Sequence, residues 1–177
     1  MIDYTREELV ELLRKNPEKF NEWKAEQDDE INLSEVDFSG LNLSEVDFSD
    51  INLNSSSFAD CGLSFINFSG ADLTSVDFTR ARVLESDFSE SLMTGADCSY
   101  AEMTYCNFTD CDLAGCIFSE TNLTSSDFTS SYNLNASRYD EDTIWPEDDL
   151  LPEDFDVTTR NDLSSLQDEE DVQQEDY

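Results

Sequence analysis

The chain has 177 residues, 43 acidic and 9 basic side chains, no histidine, and a formal net charge of −34. This charge excludes direct attraction to nucleic acid or to an anionic membrane, so a partner selected by electrostatics must be basic. No apolar run approaches the roughly 18–20 residues that a membrane span needs, and we expect neither a transmembrane helix nor a secretory signal segment, and a cytoplasmic chain.

Residues 1–30 carry the signals of two short helices. Thr5 and Glu8 form a capping-box pattern, and the leucines that follow recur at helical spacing. Asn16 and Pro17 then supply a second N-cap and a proline at the first helical position. We expect both helices to cover the N-terminal end of the segment that follows.

A bulky apolar residue recurs at every fifth position between residues 31 and 130, over twenty consecutive units. A smaller residue lies two positions before each central residue, Asp or Asn usually precedes the centre, and Ser or Thr usually follows it, as in Val36-Asp37-Phe38-Ser39-Gly40. A period of five fits neither an α-helix nor a β-strand. Each unit must therefore turn a corner, and successive coils must stack to bury their apolar residues.

The central residues alternate largely between Leu-type side chains and phenylalanine, which favours a coil of four units, or twenty residues. In this register, phenylalanines twenty residues apart share one side and form ladders along the axis. The two predicted ladders are Phe38, Phe58, Phe78 and Phe118 on one side, and Phe48, Phe68, Phe88, Phe108 and Phe128 on the opposite side.

The repeating unit resembles the A(D/N)LXX signature of the pentapeptide-repeat family, and the likeness covers about 100 of the 177 residues. The resemblance implies an all-β solenoid, a right-handed quadrilateral β-helix of about five coils, capped by the short N-terminal helices. It also implies a non-catalytic role, because known members include DNA mimics that bind type II topoisomerases and cyanobacterial regulators that act through protein contacts.

The C-terminal part of the chain is predicted to close the β-helix and then to become a tail. Ile144-Trp145-Pro146 is similar to the aromatic-proline closing segment of cyanobacterial family members, whereas the last residues are acidic with few apolar anchors, and we expect them to be mobile. The predicted organisation is a helical cap at 1–30, a β-helix at 31–130, a capping segment at 131–151 and an acidic tail at 152–177.

Cysteines and carboxylates give no catalytic pattern. Cys106, Cys111 and Cys116 follow the spacing of the repeat itself, so we predict reduced thiols buried in the core, not metal ligands. Paired carboxylates are plentiful, but a filled solenoid offers no pocket that would drive their pKa values apart. We therefore expect no catalytic site, no metal and no cofactor.

Acidic residues form ladders along the predicted rod. Residues 31–130 carry 17 acidic and 2 basic side chains, a charge of −15. Five coils spaced by about 4.8 Å give a rod of roughly 24 Å, and duplex DNA of that length carries about 14 phosphate charges. The ladders are Asp37, Asp77 and Asp97 on one side, Asp47, Asp87 and Asp127 on another, and Glu45, Asp50, Glu85 and Glu90 near the corners.

Three interpretations of the surface follow. The leading hypothesis is a DNA mimic that occupies the DNA-binding surface of a basic DNA-processing protein, either a topoisomerase such as gyrase or a nuclease, and competes with DNA. A second is that the acidic side chains only form turns and keep soluble a solenoid that has many exposed strand edges. The third is a regulatory or scaffolding module that binds through outward apolar residues, namely Phe65, Leu92, Tyr100, Tyr105 and Ile117. Under each interpretation we expect a monomer or a homodimer.

Overall fold

The computed structural model describes residues 4–157 and is built mainly from short extended segments joined by turns. In that part of the chain, no helix combines the length and the apolar character needed to span a membrane. The elements are helices α1 (Arg6–Lys15) and α2 (Pro17–Lys24), strands β1 (Asn42–Ser44), β2 (Gly62–Ser64), β3 (Arg82–Leu84) and β4 (Glu102–Thr104), and single 3-10 turns at Leu134–Ala136 and Asp148–Leu150.

The chain pairs with itself every twenty residues. Strands β1 to β4 form a parallel sheet in sequence order, with Leu43 opposite Leu63, which in turn is opposite Val83. Three further columns of parallel bridges repeat at this spacing until the C-terminal segment, so four columns of paired backbone surround one core. The columns define side 1 (32, 52, 72, 92, 112, 132), side 2 (37, 57, 77, 97, 117, 138), side 3 (42, 62, 82, 102, 122, 144) and side 4 (47, 67, 87, 107, 127).

Neighbouring sides meet at edges where the backbone turns through the left-handed region. Every fifth residue from 35 to 125 has φ between 48° and 70°. Where an Asp or Asn lies three residues before the left-handed residue, it helps to form the turn, because its carboxylate or amide oxygen accepts the backbone N–H two positions on, as from Thr79 N to Asp77 Oδ1 at 2.8 Å. Edge 1 comprises Glu35, Ser55, Ser75, Gly95 and Gly115; edge 2, Gly40, Asp60, Arg80, Tyr100 and Glu120; edge 3, Glu45, Phe65, Glu85, Tyr105 and Ser125; and edge 4, Asp50, Gly70, Glu90 and Asp110.

The phenylalanine ladders predicted from the sequence are confirmed. Rings one coil apart stack with centroids separated by 4.5–5.4 Å and planes within 9–20° of each other. Buried Cys98 takes the place of a ring between Phe78 and Phe118, so one ladder is interrupted while the other runs unbroken from Phe48 to Phe128. The stacked rings fill the interior along its length.

Small inward residues are used to satisfy buried carbonyl groups. Ser56 Oγ donates to Leu33 O at 2.8 Å, and Cys61 Sγ lies 3.1 Å from Phe38 O. All five cysteines are buried and free, and the core positions predicted for Cys106, Cys111 and Cys116 are confirmed. Burial raises the pKa of Cys61 to about 11 and the pKa of Cys106 to about 12, so both thiols are protonated at neutral pH.

Helix α2 docks on the first coil through an aromatic ring and an amide. The ring of Phe20 lies 5.6 Å from that of Phe48, at the start of the unbroken ladder. Asn21 Nδ2 donates to Glu45 O at 2.7 Å, and Asn21 Oδ1 accepts from Asp47 N at 2.9 Å. The bond to Asp47 N takes the place of the one that a preceding coil would have supplied, as Val46 O does for Asn67 N.

Trp145 lies against the last rings of both ladders. Its ring is 5.9 Å from that of Phe118 and 6.0 Å from that of Phe128, in edge-on orientations. Phe155 packs on Trp145 with ring centroids 4.9 Å apart, so closely packed chain continues beyond the expected boundary at residue 151. The rest of the predicted tail, residues 158–177, lies outside the described residues.

Candidate functional site

Side 4 and its two flanking edges collect carboxylates without any basic residue of the repeat. The two arginines of residues 31–130 lie elsewhere, Arg80 on edge 2 and Arg82 on side 3. Seven of the ten acidic residues predicted to contact a partner are brought together here. We call this surface the acidic side; it consists of Asp47, Asp87 and Asp127 on side 4, Glu45 and Glu85 on edge 3, and Asp50, Glu90 and Asp110 on edge 4.

Aspartate and asparagine alternate along side 4. Asn67 Nδ2 donates to Asp47 Oδ1 at 3.3 Å, and Asn107 Nδ2 donates to Asp87 Oδ1 at 3.1 Å. The alternation spaces the side 4 carboxylates two coils apart, about 10 Å at the spacing of paired strands. Amide donors between the carboxylates also reduce their mutual repulsion.

These aspartates also have a structural role. Asp87 Oδ1 accepts from Ser89 N at 2.9 Å, and Asp127 Oδ1 accepts from Thr129 N at 2.9 Å. The asparagines of the same column make the equivalent bond, such as Asn67 with Ser69 N. Because asparagine forms this turn as well as aspartate does, the turn explains the oxygen acceptor but not the negative charge.

Asp47 differs from the other acidic residues of this side. Lys24 Nζ lies 2.9 Å from Asp47 Oδ2 and donates to Ser49 Oγ at 2.7 Å, and the Lys24 side chain is only 13% exposed. Partial burial raises the pKa of Asp47, but the hydrogen bonds from Lys24 and Ser49 outweigh it and hold that pKa below its ordinary value. Asp47 therefore anchors α2. Sequence reasoning missed this contact, because the repeat contains no signal for where α2 docks.

The other three predicted aspartates lie on side 2, across the rod from side 4. Asp37, Asp77 and Asp97 belong to one bridged column, which then continues with Ile117 and Arg138. The acidic series of side 2 thus stops in the later coils and is followed by an apolar and a basic residue, whereas that of side 4 continues to Asp127.

The five residues of the predicted apolar patch do not form one surface. Leu92 lies on side 1 and Ile117 on side 2, because a step of five residues moves the chain to the next side. Phe65 and Tyr105 share edge 3 and are 49% and 60% exposed, while Tyr100, 57% exposed, lies on edge 2. The three aromatic residues therefore flank side 3, the sheet formed by β1 to β4.

Side 3 is the least acidic part of the rod. Arg82 Nε pairs with Glu102 Oε2 at 3.1 Å on its surface. A shallow depression of about 510 Å³ lies over β1 to β3, where Gly62 contributes no side chain. Across the described stretch of residues 4–157, no group of three or more Cys, Asp or Glu side chains is arranged to hold a metal ion.

Parallel pairing at a constant twenty-residue offset, with a turn every five residues, defines a β-helix of pentapeptide units. Two family models agree with this class: a pentapeptide repeat region matches residues 31–100, and pentapeptide repeats in eight copies match residues 91–129. The chain belongs to the pentapeptide-repeat family, whose fold is a right-handed β-helix.

Among solved structures, a pentapeptide-repeat protein from the thylakoid lumen of Arabidopsis thaliana is 34% identical, with a TM-score of 0.51. The alignment covers 52% of this chain and 65%, just under two thirds, of that protein. Rfr23 from the cyanobacterium Cyanothece 51142 is 18% identical over 72% of this chain and 98% of its own, with a TM-score of 0.42. A trypsin-treated form of QnrB1, a plasmid-mediated fluoroquinolone resistance protein, is 15% identical over 75% of this chain and 74% of its own, with a TM-score of 0.47. Comparison with curated protein sequences gives no match.

Proposed function

We propose that this chain is a non-catalytic, acidic DNA mimic that occupies the DNA-binding surface of a basic DNA-processing protein and competes with DNA. The observation that carries the proposal is the acidic side, which runs from Glu45 to Asp127 without a basic residue of the repeat. The family resemblance supports a type II topoisomerase such as gyrase as the partner, and the same charge suits a nuclease.

The charge on this side exceeds what the fold requires. Asn67 and Asn107 form the same turns as Asp87 and Asp127 without a negative charge. Asp87 and Asp127 therefore each add a charge that the turn does not need, whereas the charge of Asp47 pairs with Lys24. Because the rod matches duplex DNA in linear charge density, a groove lined with Lys and Arg is attracted to it as to DNA.

A role in solubility alone explains the surface less well. Soluble proteins need charge on their surface, but they do not need their basic residues confined to one part of it. Nine of the 17 acidic residues of the repeat lie outside the acidic side, so the placement of the basic residues is what distinguishes the sides. Here eight carboxylates lie on side 4 and its edges, while the arginines lie on or beside side 3, next to exposed aromatic residues. This separation of charge is expected of a surface that docks in one orientation.

Two variants with equal charge change test the proposal. The acidic-side variant combines Asp87→Asn, Glu90→Gln, Asp110→Asn and Asp127→Asn. It spares Asp47, which anchors α2, and asparagine keeps the turn bonds. The matched control combines Glu35→Gln, Asp37→Asn, Asp77→Asn and Asp97→Asn on side 2 and edge 1.

The measurement is displacement of fluorescent duplex DNA from purified gyrase, and from a purified nuclease, at two salt concentrations. We expect the natural chain to displace DNA, the acidic-side variant to need at least about tenfold more protein, and the control to change by less than about threefold. Displacement by the natural chain should weaken as salt rises. Failure to displace DNA from either enzyme contradicts the proposal, and equal losses in both variants contradict the choice of side.

A further inference from the structure

Edge 3 alternates carboxylates with aromatic rings. Glu45, Phe65, Glu85 and Tyr105 follow one another at intervals of one coil, about 5 Å at the spacing of paired strands. Within residues 4–157, no ion pair engages the carboxylate of Glu45 or Glu85, and neither ring stacks on another aromatic ring. The edge therefore presents two carboxylates without an ion pair beside two half-exposed rings.

The two rings occupy an unfavourable backbone position. Phe65 has φ 56° and Tyr105 has φ 58°, in the left-handed region that bulky residues seldom adopt. Serine adopts the same left-handed φ at Ser55, Ser75 and Ser125. Since core packing does not account for two half-exposed rings in this conformation, a contact outside the chain is the better explanation.

Edge 2 shows how an edge carboxylate holds a guanidinium. Arg80 Nε and Nη2 donate to the two carboxylate oxygens of Asp60, each at 2.8 Å, across one coil and next to Tyr100 in the following coil. The Arg80 guanidinium holds the pKa of the Asp60 carboxyl below its ordinary value. Edge 3 offers a carboxylate and a ring at the same spacing but has no arginine of its own.

We propose that edge 3 binds arginine side chains of the basic partner, which pair with Glu45 or Glu85 and stack on Phe65 or Tyr105. A guanidinium satisfies both contacts, because its planar fork matches a carboxylate and its face lies flat on a ring, whereas an ammonium group is a strongly hydrated point charge. This inference rests on the proposed function, since edge 3 contributes Glu45 and Glu85 to the acidic side and meets the same basic surface.

The test uses an arginine homopeptide and a lysine homopeptide of equal length as probes, with affinity measured by isothermal titration calorimetry at about 0.15 M salt. The variant is Phe65→Ser with Tyr105→Ser, which places at both positions a residue that adopts the same left-handed φ elsewhere in the rod. The matched control is Tyr100→Ser on edge 2, and the acidic-side variant is measured alongside.

We expect the natural chain to bind the arginine peptide about tenfold more tightly than the lysine peptide. The double serine variant should lose this preference while keeping its affinity for the lysine peptide, and Tyr100→Ser should retain the preference. The acidic-side variant should bind both peptides more weakly by the same factor, because it removes charge without touching edge 3.

Equal affinity of the natural chain for the two peptides, or a preference that survives the double serine variant, overturns the inference. Sedimentation velocity gives a further outcome: a dimer that dissociates in the double serine variant assigns edge 3 to self-association and also overturns it. Arginine preference together with no displacement of DNA contradicts the proposed function alone, whereas DNA displacement without the preference contradicts the arginine contact alone.

Discussion

Sides 3 and 4 are neighbours that share edge 3 and the same coiled backbone, yet their surfaces are opposite in character. Side 4 carries Asp47, Asp87 and Asp127 at alternate coils, whereas side 3 carries Arg82 and a shallow depression at Gly62. Both sides cover the same core of stacked phenylalanines.

The comparison shows that the inward and the outward residues of each unit are under different constraints. Inward residues must fill the coil, and at most turns an Asp, Asn or Ser side chain accepts a backbone hydrogen bond. The sign of the outward charge is left open, because Asn67 serves the turn as well as Asp87 does. Partner choice is therefore expected to depend on the outward residues.

The largest expected effect on stability comes from truncating a phenylalanine of the core that both sides cover. Phe108 is fully buried and stacks on Phe88 at 4.9 Å and on Phe128 at 4.5 Å. Phe108→Ala should lower the free energy of unfolding by about 3–5 kcal/mol, because it leaves a cavity between two rings. Urea denaturation followed by circular dichroism measures this change. An unchanged midpoint would show that the ladder does not support the rod.

The second prediction concerns the pKa values of the buried thiols beneath the two sides and their effect on stability. Burial raises the pKa of Cys61, beneath side 3, to about 11 and that of Cys106, beneath side 4, to about 12, against an ordinary value of 9.0. The unfolded thiols ionise from about pH 9, so their contribution to stability is complete below that pH and is lost as pH rises through the folded values.

The urea midpoint should therefore fall steadily as pH rises above 9. At pH 8, Ellman's reagent should leave all five cysteines of the folded chain unmodified and should react with all five in guanidinium. Rapid reaction of Cys61 but not Cys106 in the folded chain would show that side 3 opens more readily than side 4.

A smaller effect separates turn formation from charge on side 4. Asp87→Ala removes the acceptor for Ser89 N and should cost about 1 kcal/mol, whereas Asp87→Asn keeps that hydrogen bond and should leave the midpoint of urea unfolding unchanged. Both variants remove the same charge, so they should weaken partner binding equally. A loss of stability in Asp87→Asn comparable to that in Asp87→Ala would show that the charge itself supports the turn.

The smallest effect is expected on side 3. Arg82 and Glu102 form an ion pair at 3.1 Å, but both side chains are largely exposed, at 74% and 46%. Exposed pairs contribute little because water and salt screen them. Arg82→Gln should therefore leave the urea midpoint unchanged at any salt concentration, and a clear shift that disappears in high salt would show that this pair stabilises the sheet.

The sequence by itself determined the period of five, the twenty-residue offset, the phenylalanine ladders and the buried thiols. These could be predicted because every unit of a solenoid adopts the same local structure. The position of a residue in its unit therefore decides whether it faces the core. Even the interruption at Cys98 follows from its place in the series.

Only the tertiary structure decided how the surface is divided. The pairing of Lys24 with Asp47 depends on where α2 docks, and no repeat specifies that position. The packing of Phe155 on Trp145 likewise depends on how the C-terminal segment folds back. The physical reason is that inward positions are constrained by packing in every coil, while contacts between the repeat and the segments flanking it form once, between residues distant in sequence.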